Sequence, residues 1–95
     1  MKIQNTGFNK NDKVQFPVNF DLKVIMFTDP DPNNSITTLE ALLMHLNIPF
    51  KNWSHKPSGK GTYTSFTVNI RIESQKLMTE LYEKLRDIPE VKMAL

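Results

Sequence analysis

The chain has 95 residues, a formal net charge of +2, 39% hydrophobic residues and no cysteine. That length makes one domain, and the missing thiols exclude a disulfide framework and thiolate metal sites. No apolar run approaches the roughly 18 residues of a membrane span and no apolar h-region follows the N-terminus, so a cytoplasmic protein, held together by its core alone, is expected.

Residues 1–15 are polar, rich in Asn and Lys, and without period, which predicts a flexible tail ahead of a single domain over 16–95. "FPVNFDLKVIMF" then alternates. Val18, Phe20, Leu22, Val24 and Met26 fall on one side, and Asn19, Asp21 and Lys23 on the other, which predicts a strand with one face on a core. Ile25 and Phe27 interrupt the polar side, so its far end is expected to be covered as well.

"TDPDPNNS" reads as a loop, because prolines and Asp/Asn dominate it. "SITTLEALLMHLN" reads as a helix with Ile36, Leu39, Leu42, Leu43 and Leu46 on one stripe. Thr37 with Glu40 suggests a capping box, and Asn34 and Ser35 are alternative caps. Asn47 suits a left-handed residue just past the helix, and Pro49 prevents its continuation.

"FKNWSHK" is a short strand whose facing the pattern does not fix, with Trp53 as core or sheet-edge packing. "PSGKG" turns the chain. "TYTSFTVNIRIE" is the clearest strand: Phe66, Val68, Ile70 and Ile72 point one way, and Thr67, Asn69, Arg71 and Glu73 the other. "SQKLMTELYEKLRDI" is a second helix with Ser74 as N-cap and a stripe of Leu77, Met78, Leu81, Tyr82 and Leu85. Glu80 and Lys84 have the favourable i,i+4 order, and Pro89 ends the helix. "EVKMAL" is a last strand with Val91, Met93 and Leu95 inward.

The order β-α-β-β-α-β, with one apolar face per element, predicts an α+β sandwich: two helices on one face of a four-stranded antiparallel sheet. The split βαβ arrangement gives the spatial order 4-1-3-2 of the ferredoxin-like fold. Asp21, Lys23, Arg71 and Glu73 then stand on the solvated face, placed for cross-strand charge pairs.

Several motifs suggest chemistry. "KPSGKGTYTS", residues 56–65, resembles a phosphate loop, but its glycines are two apart and a strand follows where a P-loop needs a helix. It reads as a hairpin connection in which glycine supplies a positive φ. Its surface residues Lys56, Ser58, Gly59, Lys60, Gly61, Tyr63 and Ser65 are the candidate binding surface. Positive charge is concentrated nearby, since residues 41–72 contain Lys51, Lys56, Lys60 and Arg71 and no acid. These four carry the alternative reading, nucleic-acid binding. RNA-recognition motifs share the element order but stack bases on outward aromatics of the central strands. Aligning "KGTYTSFT" on that pattern puts Thr62, Thr64 and Thr67 in those places, so no stacking platform is predicted.

Asp29, Asp31, Asn33, Ser35, Thr37 and Glu40 fall on the ligand spacing of a calcium loop. Asn34 replaces the glycine of the sharp turn, and Pro30 and Pro32 lock φ where that loop must coil, so no specific site is expected there. His45 and His55 lack companions at ligand spacing. Ser54 and His55 are adjacent on a strand and point to opposite faces, and no nucleophile elbow is visible. No enzyme, metal or cofactor is therefore expected.

From Phe16 to Leu95 the chain resembles the YbeD-like proteins, small bacterial proteins of uncharacterised function. Three blocks carry the resemblance: "FPVNFDLKVI", "KPSGKGTYTSFTVNI" and "LYEKLRDIPEVKMAL". The middle block is the most specific, through Lys56-Pro57-Ser58, Lys60-Gly61, Tyr63 and Ser65. The resemblance implies a ferredoxin-like fold similar to the ACT regulatory domains, bacterial origin and cytoplasmic location. It implies no activity. The first loop, without glycine, departs from an ACT ligand site. The expectation is a non-enzymatic regulatory or binding domain for a protein partner or an ACT-like small ligand. An exposed sheet edge offers a route to a homodimer.

Overall fold

The structure, a computed structural model, describes residues 15–95. The predicted tail lies outside the described residues except for Gln15. The elements are β1 (Val18–Phe27), α1 (Pro32–His45), β2 (Phe50–Pro57), β3 (Tyr63–Ile72), α2 (Gln75–Arg86) and β4 (Val91–Ala94). The strands form one antiparallel sheet in the order β2-β3-β1-β4, the predicted order read from the other edge.

β1 and β3 pair without interruption from Val18 opposite Ile72 to Phe27 opposite Tyr63. Their inward residues Leu22, Val24, Met26, Phe66, Val68, Ile70 and Ile72 are buried together with the helix stripes, Leu39, Leu43 and Leu46 from α1 and Met78, Leu81, Tyr82 and Leu85 from α2. Burial pushes the Tyr82 phenol up to about 12. Both strand alternation and helical period thus name the core correctly.

Local signals differ at the first helix. α1 begins at Pro32, so the second half of "TDPDPNNS" is helical. Asp31 is the N-cap, its carboxylate accepting from the Asn33 amide at 3.0 Å. Proline at the first helical position suits the fixed φ and needs no amide donor. Thr37, Glu40, Asn34 and Ser35 therefore lie within the helix and do not cap it. The C-terminus follows the prediction: Asn47 has φ 57, its amide bonds the Met44 carbonyl, and Ile48 bonds the Leu43 carbonyl. That is a Schellman ending, with Ile48 buried against the core. In α2, Ser74 accepts from the Leu77 amide at 3.2 Å as expected. Glu80 and Lys84 form no ion pair with each other.

Both edge strands contain an irregularity. In β2 the register shifts between Lys51 and Ser54, and Asn52 sits at φ 63. The extra residue lets Phe50 and Trp53, three apart, share the helix-side face, where their rings meet at 6.1 Å. The Trp53 indole N–H donates to a Glu40 carboxylate oxygen at 3.0 Å, joining β2 to α1. In β4 the register shifts beside Lys92, which changes the prediction for that strand. Val91 and Ala94 face inward, while Met93 stands opposite Ile25 and Leu95 is bonded to Lys23, both on the open side.

Candidate functional site

The helices cover one face of the sheet and leave the other open. On the open face the register aligns Lys56 of β2, Ser65 of β3, Ile25 of β1 and Met93 of β4 in one row. The next row toward the hairpin holds Ser58, Tyr63 and Phe27, since the Ser58 amide bonds the Tyr63 carbonyl at 2.7 Å. Lys23 lies one row the other way, opposite Thr67. Ile25 and Phe27, expected to be covered, stand here, Ile25 half-buried and Phe27 47% exposed.

The β2–β3 hairpin has the predicted chemistry. The Gly61 amide bonds the Ser58 carbonyl at 2.9 Å, closing a turn, and Gly61 takes φ 75, where a side chain would be strained. The Tyr63 amide donates to the Ser58 hydroxyl oxygen at 3.3 Å, and the Ser65 hydroxyl donates to the Lys56 carbonyl at 3.4 Å.

Hairpin and β1 together enclose a shallow concavity of about 380 Å³. Five of the seven predicted surface residues line it: Lys56, Ser58, Gly59, Tyr63 and Ser65. Lys60 and Gly61 do not. Two residues that sequence reasoning missed, Lys23 and Ile25, complete it from β1. The signal was present, because Ile25 interrupts the polar side of its strand. Only the pairing of β1 with β3 says which part of the hairpin it faces.

The charged residues of the open face fall apart. The predicted cross-strand charge pairs do not form: the register sets Asp21 opposite Asn69, whose amide donates to it at 3.0 Å, and Asn19 opposite Arg71. Arg71 instead pairs with Glu73, two residues along, at 3.2 Å. Lys51 and Arg71 line a second, smaller hollow of about 180 Å³ at the far end of the sheet, with Asn19 and Pro49. By strand rise they stand roughly 17–20 Å from Lys56, so the four basic residues of the acid-free middle do not form one patch.

The outward aromatics also differ from the prediction. Thr64 points inward, buried, and its hydroxyl bonds that of Thr28 at 2.9 Å. Tyr63 and Phe27 face outward, with ring centroids 5.2 Å apart. The calcium-loop residues do not converge, because Asn33, Ser35, Thr37 and Glu40 run along α1, while the Asp29 carboxylate accepts from the Asp31 amide and the Asn34 side chain. Among the described residues no group of three or more His, Asp or Glu side chains is placed to hold a metal. His45 lies in the last turn of α1, and His55 stacks on Phe66 at 5.8 Å.

Residues 11–95 match the family model described as "Protein of unknown function (DUF493)". The chain belongs to the DUF493 family. A UPF0250 protein of Idiomarina loihiensis is 36% identical over 94 residues, covering 98% of this chain and 100% of the relative. A UPF0250 protein of Neisseria gonorrhoeae is 31% identical over 88 residues, covering 92% and 94%. These relatives bear out the resemblance to the YbeD-like bacterial proteins. Among solved structures, protein HP0495 from H. pylori superposes with a TM-score of 0.71 at 25% identity, covering 90% of this chain and 89% of that one. The ACT domain of the GTP pyrophosphokinase of Chlorobium tepidum gives 0.64 at 10% identity, covering 83% and 96%. The latter likeness is one of fold, which agrees with the predicted ferredoxin-like, ACT-like architecture. No helix among the described residues is long and apolar enough to cross a membrane.

Proposed function

We propose that this protein is a non-enzymatic binding domain of the regulatory kind, taking a protein partner or a small ligand on the hairpin end of its open sheet face. One observation carries the reading: residues distant in sequence, Lys23 and Ile25 on one side and Lys56, Ser58, Tyr63 and Ser65 on the other, meet in one concavity on a face that neither α1 nor α2 covers. The ACT-like fold supports the regulatory analogy but assigns no ligand, because function resides in sites and not in folds. The hydroxyls of Ser58 and Ser65 are both engaged with the hairpin backbone, and neither is bonded to a histidine or carboxylate that would activate it.

Affinity capture from a bacterial lysate, wild type against Lys23→Ala/Lys56→Ala and against Lys60→Ala, tests the reading. The double variant is expected to lose captured species that the Lys60 variant keeps. Identical captured sets for all three remove the concavity from consideration.

A second reading has its own observation. The outward pair Phe27 and Tyr63 offers aromatic surface beside Lys23 and Lys56, the ingredients on which single-stranded nucleic acid stacks. Phosphate-dominated binding weakens steeply with salt. Absence of retention on heparin or single-stranded DNA at low salt ends this reading and leaves the first untouched.

A further inference from the structure

The hairpin concavity combines features that together select a ligand. Its floor is apolar, formed by Ile25 and the Tyr63 ring, and continues toward Phe27. Two ammonium groups flank it. Lys23 and Lys56 lie two strands and one row apart, about 12 Å between α-carbons, so their long side chains can reach one bound group from opposite sides. Neither lysine forms an ion pair among the described residues. Ser58 accepts from the Tyr63 amide through its oxygen and so keeps its own hydroxyl proton free to donate. Among the described residues no carboxylate lines the concavity; Asp21, on the same strand as Lys23, accepts from the Asn69 side chain.

We infer that this site takes a small oxyanion, carboxylate or phosphate, carried on a flat apolar body and bearing no ammonium group. This rests on the reading of the hairpin end as the binding surface and names its ligand class. The volume of about 380 Å³ lies at the small end of the range for ligand pockets. The aromatic floor suits a flat body by offset stacking. The lysines supply donors only and the Ser58 hydroxyl adds a further donor, which suits an anion. A zwitterionic amino acid fits poorly, since its ammonium would meet two lysines and no carboxylate. A second copy of the chain is disfavoured by the same charges. A two-fold contact through this patch would set lysines against lysines without an acid between them.

The test is an amide-resolved NMR titration of the full chain with four probes: hydrocinnamate, its neutral amide hydrocinnamide, phenylalanine, and phenyl phosphate. Hydrocinnamate is expected to shift the amides of Ser58, Tyr63 and Ser65 saturably. Hydrocinnamide and phenylalanine are expected to bind roughly fivefold more weakly, the scale of two solvent-screened charge contacts. Lys23→Ala/Lys56→Ala should lose about the same factor for hydrocinnamate and little for hydrocinnamide. Phenyl phosphate binding tighter than hydrocinnamate would identify the oxyanion as phosphate, and the reverse order as carboxylate; either result supports the inference. Equal affinity for hydrocinnamate and its amide, or phenylalanine binding as well as hydrocinnamate, overturns it. Saturable but charge-blind shifts at the hairpin would overturn the anion while leaving the binding surface intact. If no probe shifts the hairpin the inference also fails, and the surface is judged by the capture experiment alone.

Discussion

β1 and β3 run side by side for ten residue pairs without a break, whereas both edge strands join the sheet through a register shift. The central pair keeps a strict period of two, so each side chain's face follows from its position. An edge strand has a free side, and an extra residue there disturbs only one ladder. Each shift re-aims a side chain. In β2 it turns Trp53 toward α1, where the indole meets Glu40. In β4 it sends Met93 to the open face beside Ile25. The centre thus builds the core, while the edges adjust what covers the helices and what faces solvent.

The largest effect that would break this contrast lies in the centre. Phe66→Ala, at a position 1% exposed, is expected to cost about 3–5 kcal/mol in urea unfolding. Met93→Ala on the edge should cost less than about 1.5 kcal/mol, because its side chain is only partly covered. Similar losses at both positions would mean that edge and centre share the core equally.

A smaller effect concerns the helix layer behind the central strands. Tyr82 keeps its proton in the folded state up to about 12, while the unfolded phenol releases it near its ordinary value of 10.0. Between those values the unfolded chain binds fewer protons, so stability falls as pH rises. The loss is expected to reach about 1–2 kcal/mol after discounting for partial contact with water. Alkaline unfolding followed with phenolate absorbance checks this, and Tyr82→Phe should flatten the decline above pH 10.

The bulge itself is sharpened by Asn52. At φ 63 a β-branched residue is strained, so Asn52→Val should cost about 1–2 kcal/mol, whereas Asn52→Gly should be near neutral. If Val and Gly are equally tolerated, the bulge relaxes easily and does not fix the direction of Trp53. The smallest stability effect belongs to the binding surface. Lys23→Ala/Lys56→Ala should change stability by less than about 0.5 kcal/mol, since both side chains are exposed and form no ion pair among the described residues. A larger loss would mean that the lysines support the sheet as well as a ligand.

Legibility in the sequence follows the same division. The stripes of α1 and α2 and the alternation of β1 and β3 are repeated signals, each position supporting its neighbours, and they named nearly every buried residue. Single-residue signals did less well. Thr37 and Glu40 satisfy the capping-box pattern, yet Asp31 caps the helix, because Pro32 at the first helical position gives an earlier start. Met93 and Leu95 alternate with Val91, yet one extra residue near Lys92 reverses their facing. At the site, the hairpin was visible as a glycine-bearing turn ahead of a strong strand. Its partners Lys23 and Ile25 lie more than thirty residues earlier, where no local pattern connects them to it.

The sequence by itself determined the element order, the ferredoxin-like architecture, the inner face of each central strand and the turn at Gly61. These depend on periods of two and 3.6 and on backbone restrictions, which act over a few residues. Tertiary structure alone decided the facing of the edge strands, the meeting of Glu40 with Trp53, the outward Phe27–Tyr63 pair and the two lysines around one hollow. Those depend on register between strands distant in the chain, and register is fixed by how the whole apolar face packs beneath the helices.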